Sequence, residues 1–347
     1  MISVLNQIIK KRYFFTSIFS VIGLFLWLLT PRYIQLEGQS FGTYYKVTVF
    51  APRIAVRSAT LSSALQNELS RLNYLYSTYI DDSELAKFNQ NFSSDPIFIS
   101  EDLHALFQFS DRWYQKLHGA WDPTLGALSR YYGLQPSGSS IIGPSSTGFD
   151  TIQVLPNGFI QKTRPMIEVD FSSNAKGLAV DRVSSLLNTY WVYGTYVDIG
   201  GEVRTTGHKQ SKLPWRIGIQ NPSDSGIISI IQANDIALAT SGNYLNYINI
   251  EGQSIGHILD PRYGGGPVSH KLLSVTVIAS DCLTADTLAT GLFVMGEIDA
   301  KKWLKNYPEF PVLLVTEDAL GAQVHHYING IDQYFLERDR PLLYSDA

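Results

Sequence analysis

Asp286 and Thr290 lie four residues apart in Ala285-Asp286-Thr287-Leu288-Ala289-Thr290, within a stretch whose spacing predicts a helix over 285–295. On a helix both oxygens project from one face. A carboxylate beside a hydroxyl suits Mg²⁺, a hard cation that takes oxygen ligands and keeps waters and substrate phosphates in its shell. A threonine bonded back into its own helix, with an aspartate favouring the helix N-terminus, gives the same spacing, so the residues alone leave both readings open. Lys176 and Gly177 follow the turn at 172–175 and open a predicted helix over 176–187. A helix start with an ammonium is a natural cradle for a pyrophosphate, and a solvated lysine at a helix end is the plain alternative. Gly200-Gly201 lets backbone approach a ligand closely, or simply turns one strand into the next.

Among the seven histidines, His257 stands out because it precedes Ile258-Leu259-Asp260-Pro261, where a neutral imidazole could take a proton. A structural role fits a lone histidine equally well. His325 and His326 fall in a predicted late strand and point to opposite faces, so they make a poor joint metal site. No G-x-S-x-G elbow occurs, and Ser241 in Thr240-Ser241-Gly242-Asn243 reads as a turn residue or phosphate contact.

Taken in order, six segments carry a resemblance. They are Gly38–Tyr44 (GQSFGTY); 77–83 ending in Phe88-Asn89; Gly119–Gly126 (GAWDPTLG); 169–177 followed by Asp181; 198–204; and the group at 240–244, 257–261 and 285–290. Each is common alone, but their order and spacing resemble the ApbE family of FAD:protein FMN transferases from Gly38 to about Gly296. The resemblance implies FAD as substrate and a Mg²⁺ ion held by Asp286, Thr290 and a main-chain carbonyl that maps to Ser173. It also implies flavin-nucleotide contacts from Asp170 and Lys176, and an aromatic stacking platform at Tyr79. Ala120, Trp121 and Asp122 match the family's Phe-Asp-Pro-Thr segment, with Trp121 in place of the commoner Phe. Phe41 stands where the family usually has Met, so a rigid ring replaces an adaptable thioether at that edge of the cofactor site. His257 becomes the general-base residue for an attacking hydroxyl. The reaction implied is transfer of FMN from FAD to a threonine of a partner protein, with AMP released. Partners would be exported subunits of flavin electron-transport complexes, such as the sodium-pumping NADH:quinone oxidoreductase. FAD hydrolysis and non-catalytic flavin binding are the alternatives.

These residues need elements to position them. Strands are predicted over 44–50, 196–199, 215–220, 227–231, 244–250, 274–279 and 312–315, with helices over 58–76, from Ser100 onward, 176–187 and 285–295. A short linker is expected before Tyr44, and the Ser-, Gly- and Pro-rich stretch 135–149 reads as a surface loop. Irregular alternation argues for a single mixed α+β catalytic domain over 32–347. At 347 residues, 45% hydrophobic and 17% charged, the chain can bury a large core. A net charge of -4 gives no basic field for nucleic acid. Cys282 is the only cysteine, which excludes an internal disulfide, a cysteine-cluster zinc site and a lipid-bearing cysteine near the N-terminus.

From Tyr13 to Pro31 no residue is charged, and Lys10-Lys11-Arg12 sits just before the run. Residues 13–31 are long enough to span a bilayer, with 1–12 left in the cytoplasm. Bulky Trp27, Leu28 and Leu29 occupy the zone where a cleavage site would want small residues, which favours an uncleaved signal anchor. The expectation is a single-pass inner-membrane protein with its catalytic domain on the periplasmic or other extracytoplasmic side.

Overall fold

The computed structural model describes residues 2–134, 147–224, 226–242, 247–250 and 253–336. In chain order the helices are α1 (Ile2–Leu29), α2 (Ser58–Tyr76), α3 (Glu84–Gln90), α4 (Glu101–Lys116), α5 (Gly126–Tyr131), α6 (Ala175–Leu187) and α7 (Cys282–Leu304). The strands are β1 (Pro31–Ser40), β2 (Thr43–Pro52), β3 (Ile97–Phe98), β4 (Ile152–Val154), β5 (Phe159–Lys162), β6 (Gly194–Ile199), β7 (Glu202–Gly207), β8 (Trp215–Gln220), β9 (Ile227–Ala233), β10 (Ala237–Gly242), β11 (Tyr247–Ile250), β12 (Gln253–Gly256), β13 (Leu272–Ala279), β14 (Val312–Glu317) and β15 (Gln323–Ile328). The body is α+β, as expected, preceded by one apolar helix.

An antiparallel sheet in the order β1-β2-β6-β7-β10-β13-β14-β15 forms the frame. Helices α2, α4, α6 and α7 bury their apolar stripes on one face. Leu61, Leu65, Leu69 and Leu72 of α2 share that core with Val180 and Val183 of α6 and Leu288 and Leu292 of α7. The β8–β9 hairpin covers the other face, where Ile217, Ile219 and Ile231 meet Val203, Leu238, Ile278 and Leu313. Strand alternation delivers these two sets to opposite sides.

The helix expected over 58–76 is α2 to the residue. Ser100 caps α4 by accepting from the Leu103 N–H at 3.3 Å. The linker expected before Tyr44 is instead strand β1, paired with β2 along its whole length. β1 is an edge strand burying only Ile34 and Leu36, so its polar outer face reads as a connector. α7 runs well past 285–295, but at Gly296 the backbone leaves helical geometry (φ 77°). The predicted end at 295 therefore falls on this break. Most of the loop expected at 135–149, and residues 243–246 of the Thr240 motif and the strand over 244–250, lie outside the described residues.

α6 crosses α7 at unusually close range. A methyl on Gly177 would strike the Cys282 carbonyl and lie 2.8 Å from Asp286 Cβ. The Gly177 N–H donates to Asp286 Oδ2 at 3.0 Å across this contact. Overpacking such a site typically costs about 1–3 kcal/mol. Gly177→Ala is therefore expected to lower the unfolding free energy by that amount, seen as a lower urea midpoint at unchanged m-value in a titration of the domain.

Candidate active site

Two hairpin turns and two helix starts converge on one cleft of about 790 Å³. The first turn, Phe41-Gly42, joins β1 to β2 with both residues at positive φ (52° and 70°), the two-residue geometry that matches strand twist. Phe41 tolerates this left-handed conformation although it is bulky, and its ring lines the cleft. The second turn, Gly200-Gly201, joins β6 to β7 at φ 65° and 101°. A Cβ on Gly200 would press on Thr43 at 2.8 Å, so glycine lets the two turns lie side by side.

The helix starts supply the charges. Lys176, in the first turn of α6, places Nζ 2.6 Å from Glu202 Oε1. Glu202 is almost wholly buried and its Oε2 has no hydrogen-bond partner, while Lys176 keeps 30% of its side chain open to the cleft. Asp286, in the first turns of α7, is 3% exposed. Burial, reinforced by Glu202, holds the Asp286 carboxyl well above the usual carboxylate range, against the opposing pull of Lys176 and the Gly177 N–H. Burial would lower the Lys176 ammonium, but Glu202 and Asp286 outweigh it and keep it charged. One turn beyond Asp286, Thr290 Oγ1 shares a 3.0 Å hydrogen bond with Ser241 Oγ. Asp181 of α6 fixes the start of α7 by accepting from the Cys282 and Leu283 N–H groups, both at 2.9 Å, and is itself paired with Arg204.

The opposite wall comes from the segment after α4 and the turn before α6. Trp121 Nε1 donates to Ser173 Oγ at 3.0 Å, tying the two together. Asp170 Oδ1 accepts from the Ser172 N–H at 2.9 Å, and the Asp170 N–H donates to the Pro123 carbonyl at 2.7 Å. Asn89 braces this turn from α3: its side chain exchanges 2.8 Å bonds with both the N–H and the carbonyl of Val169. Asp122, 5% exposed, accepts from Thr124 N–H at 2.8 Å and Thr124 Oγ1 at 2.6 Å. Burial outweighs these bonds and pushes its carboxyl up to about 6.

The cleft thus brings together Phe41, Ala120, Trp121, Asp122, Asp170, Ser173, Lys176, His257, Asp286 and Thr290. Tyr79 is outside its lining: the ring is 60% exposed, and its hydroxyl donates at 3.2 Å to the carbonyl of Leu134, which does line the cleft. Glu202 and Asp198 were absent from the residues singled out by type and spacing. Both lie in the 198–204 segment, and the buried cation at Lys176, which needs a counter-ion, was the signal that could have found Glu202. With five carboxylates (Asp122, Asp170, Asp198, Glu202, Asp286) against Lys176 as the only Lys or Arg in the described lining, the cleft is strongly acidic.

The model of the ApbE family matches residues 41–314. A FAD:protein FMN transferase of Vibrio cholerae is 34% identical over 295 residues, covering 82% of this chain and 87% of the relative. That of Escherichia coli K12 is 34% identical over 282 residues, covering 77% and 80%. The solved flavin transferase ApbE from V. cholerae superposes with a TM-score of 0.79 at 30% identity, over 88% of this chain and 100% of that one. The apo flavinyl transferase ApbE of Pseudomonas stutzeri gives 0.79 at 26% identity, over 88% and 97%. Fold and cleft are thus those of a transferase. The chain belongs to the ApbE family.

Asp122 generates a pH signature. Its folded-state pKa of about 6 exceeds the unfolded value near 4, so the folded state holds the proton more tightly. Its contribution favours folding at low pH and is lost as pH rises from about 4 through 6, by roughly 3 kcal/mol. Asp122→Asn keeps the acceptor for Thr124 but cannot ionise. The variant should therefore show a flatter stability profile between about pH 4 and 6 than the native chain, measured by denaturant titration at each pH.

Proposed function

We propose that this chain is a Mg²⁺-dependent FAD:protein FMN transferase, anchored in the inner membrane by α1, that modifies a threonine of an exported partner. The observation that carries the reading is the acidic cleft in which Asp286, Thr290 and Ser173 line one cavity with Lys176. The donor set fits Mg²⁺. Asp286 is a buried carboxyl whose proton affinity is raised by burial and by Glu202, and Thr290 and the Ser173 carbonyl would add neutral oxygens. Among the described residues no group of three His, Cys, Asp or Glu converges as a metal cage. That suits an ion that takes one or two protein carboxylates and completes its shell with water and phosphate. When bound, Mg²⁺ would neutralise the FAD pyrophosphate.

The chain's own groups do the rest. Lys176, charged and open to the cleft, would hold phosphate oxygens, while Trp121, Phe41 and the Ala120–Asp122 backbone would hold the nucleotide. The turns at Gly42 and Gly200-Gly201 leave room for close approach. Tyr79, exposed at the mouth, would offer a stacking face. His257 lines the same cleft, after β12, and would take the proton of the attacking threonine hydroxyl. The hydroxyl oxygen bonds to the FMN phosphorus, the bond from that phosphorus to the bridging oxygen breaks, and AMP leaves with that oxygen. The 18-residue stretch Arg12–Leu29 of α1 has a mean hydropathy of 1.7, no charge after Arg12 and no buried residue, which supports the anchor.

Incubating the chain with FAD, Mg²⁺ and threonine-bearing candidate acceptor proteins should give an FMN-sized mass increase on an acceptor together with AMP. AMP without protein modification would point to hydrolysis, and no AMP to a binding module. His257→Ala is expected to slow transfer about 10²–10⁴-fold while FAD affinity changes little. A loss that simply tracks weaker FAD binding would make His257 a pocket-shaping residue.

A further inference from the structure

The sheet has two functional ends. Phe41-Gly42 and Gly200-Gly201, which line the cleft, lie at one end of β1, β2, β6 and β7. The start of β1, the end of β2, the start of β6 and the end of β7 form the other, and α1 enters there. The junction is clamped. The Arg53 and Ile54 N–H groups donate to the carbonyls of Thr30 (3.1 Å) and Leu28 (2.9 Å). Arg53 Nε donates to Thr30 Oγ1 at 3.1 Å, and its guanidinium stacks over Trp27 at 4.9 Å.

The surface around this junction breaks local rules. Arg57 occupies the N-cap of α2 without a capping bond, where the helix dipole disfavours a cation. Ser211 and Lys212 both sit in the left-handed region (φ 60° and 57°) within a loop held by Lys209 N–H to Leu213 carbonyl (2.8 Å) and Gln210 N–H to Tyr33 Oη (3.0 Å). That strain presents Lys212 and a 58%-exposed Leu213 outward, and Ile54, just after the end of β2, is 46% exposed. Arg53 and Lys209 complete the basic set, and one acid, Asp235, accepts from the Gly207 N–H at the end of β7.

Resting on the anchor reading above, we propose that this basic, apolar-tipped end of the sheet lies on the anionic phosphate headgroups of the bilayer that α1 enters. The cleft is then held at the far end of the strands. Chain continuity with α1 and charge complementarity select the headgroup layer as the occupant. Two elements set the height. β1 has ten residues, about 33 Å at ~3.3 Å per residue. α2 has nineteen, about 28 Å at ~1.5 Å per residue, and runs from Arg57 toward Tyr79 at the cleft mouth. An acceptor must therefore offer its hydroxyl roughly 30 Å above the membrane rather than at its surface.

Cys282 is buried, so an introduced cysteine can be labelled selectively. A donor dye on Leu213→Cys or on Asp81→Cys, beside Tyr79, is read by energy transfer to rhodamine-headgroup lipid, with the full chain in phosphatidylglycerol-containing nanodiscs. Strong transfer from position 213 and little from 81 is expected. Lys209→Glu with Lys212→Glu should remove most of that difference. Equal transfer from both positions, or a difference unmoved by charge reversal, would overturn the docking. Failure of the full chain to co-purify with nanodiscs would instead remove the anchor. FMN transfer to a soluble acceptor, unchanged by the labels, keeps the catalytic reading separate.

Discussion

The close approach of α6 to α7, where Gly177 leaves no room for a side chain against Cys282 and Asp286, is the constraint on which the site depends. It brings two helix N-termini into contact, and with them the Lys176 ammonium and the Asp286 carboxyl. Helix dipoles at both starts favour negative charge nearby, which helps retain Glu202 in a buried position. Lys176 balances only part of that charge, and the unpartnered Glu202 Oε2 marks the shortfall. The fold stores an electrostatic deficit where a nucleotide must bind.

The remaining architecture serves this contact. The sheet carries two glycine turns to the same place, one bracing the other through Gly200 and Thr43. Asn89 and Trp121 fix the Val169–Ser173 turn that leads into α6, and Asp181 fixes the first N–H groups of α7. The turn before α6 and the start of α7 are thus held by Asn89 and Asp181, which do not line the cleft, and this fixes the site's geometry before the ligand arrives.

Legibility followed periodicity. The leucines at 61, 65, 69 and 72 marked α2 fully, because one face is buried and the other is not. β7 and β10 were missed for the opposite reason. Thr205, Ala237 and Ala239 are fully buried in the middle of the sheet, where small residues carry little hydrophobic signal. β1 was hidden by its exposed edge. In the site, motif order located ten cleft-lining residues, whereas Glu202 and the Gly177–Asp286 bond arise from contacts across 26 and 109 positions of sequence. No spacing rule reports a contact of that kind.

On the proposed function, the acidic cleft admits its anionic substrate only with an added divalent cation. This requirement is tested most directly by calorimetric titration of FAD into the native chain and Asp286→Asn, each with Mg²⁺ and with chelator. Chelation should weaken native binding by at least about tenfold, roughly 1.4 kcal/mol, and Asp286→Asn should show little dependence on the metal. Native affinity that is the same in chelator as in Mg²⁺ would contradict it.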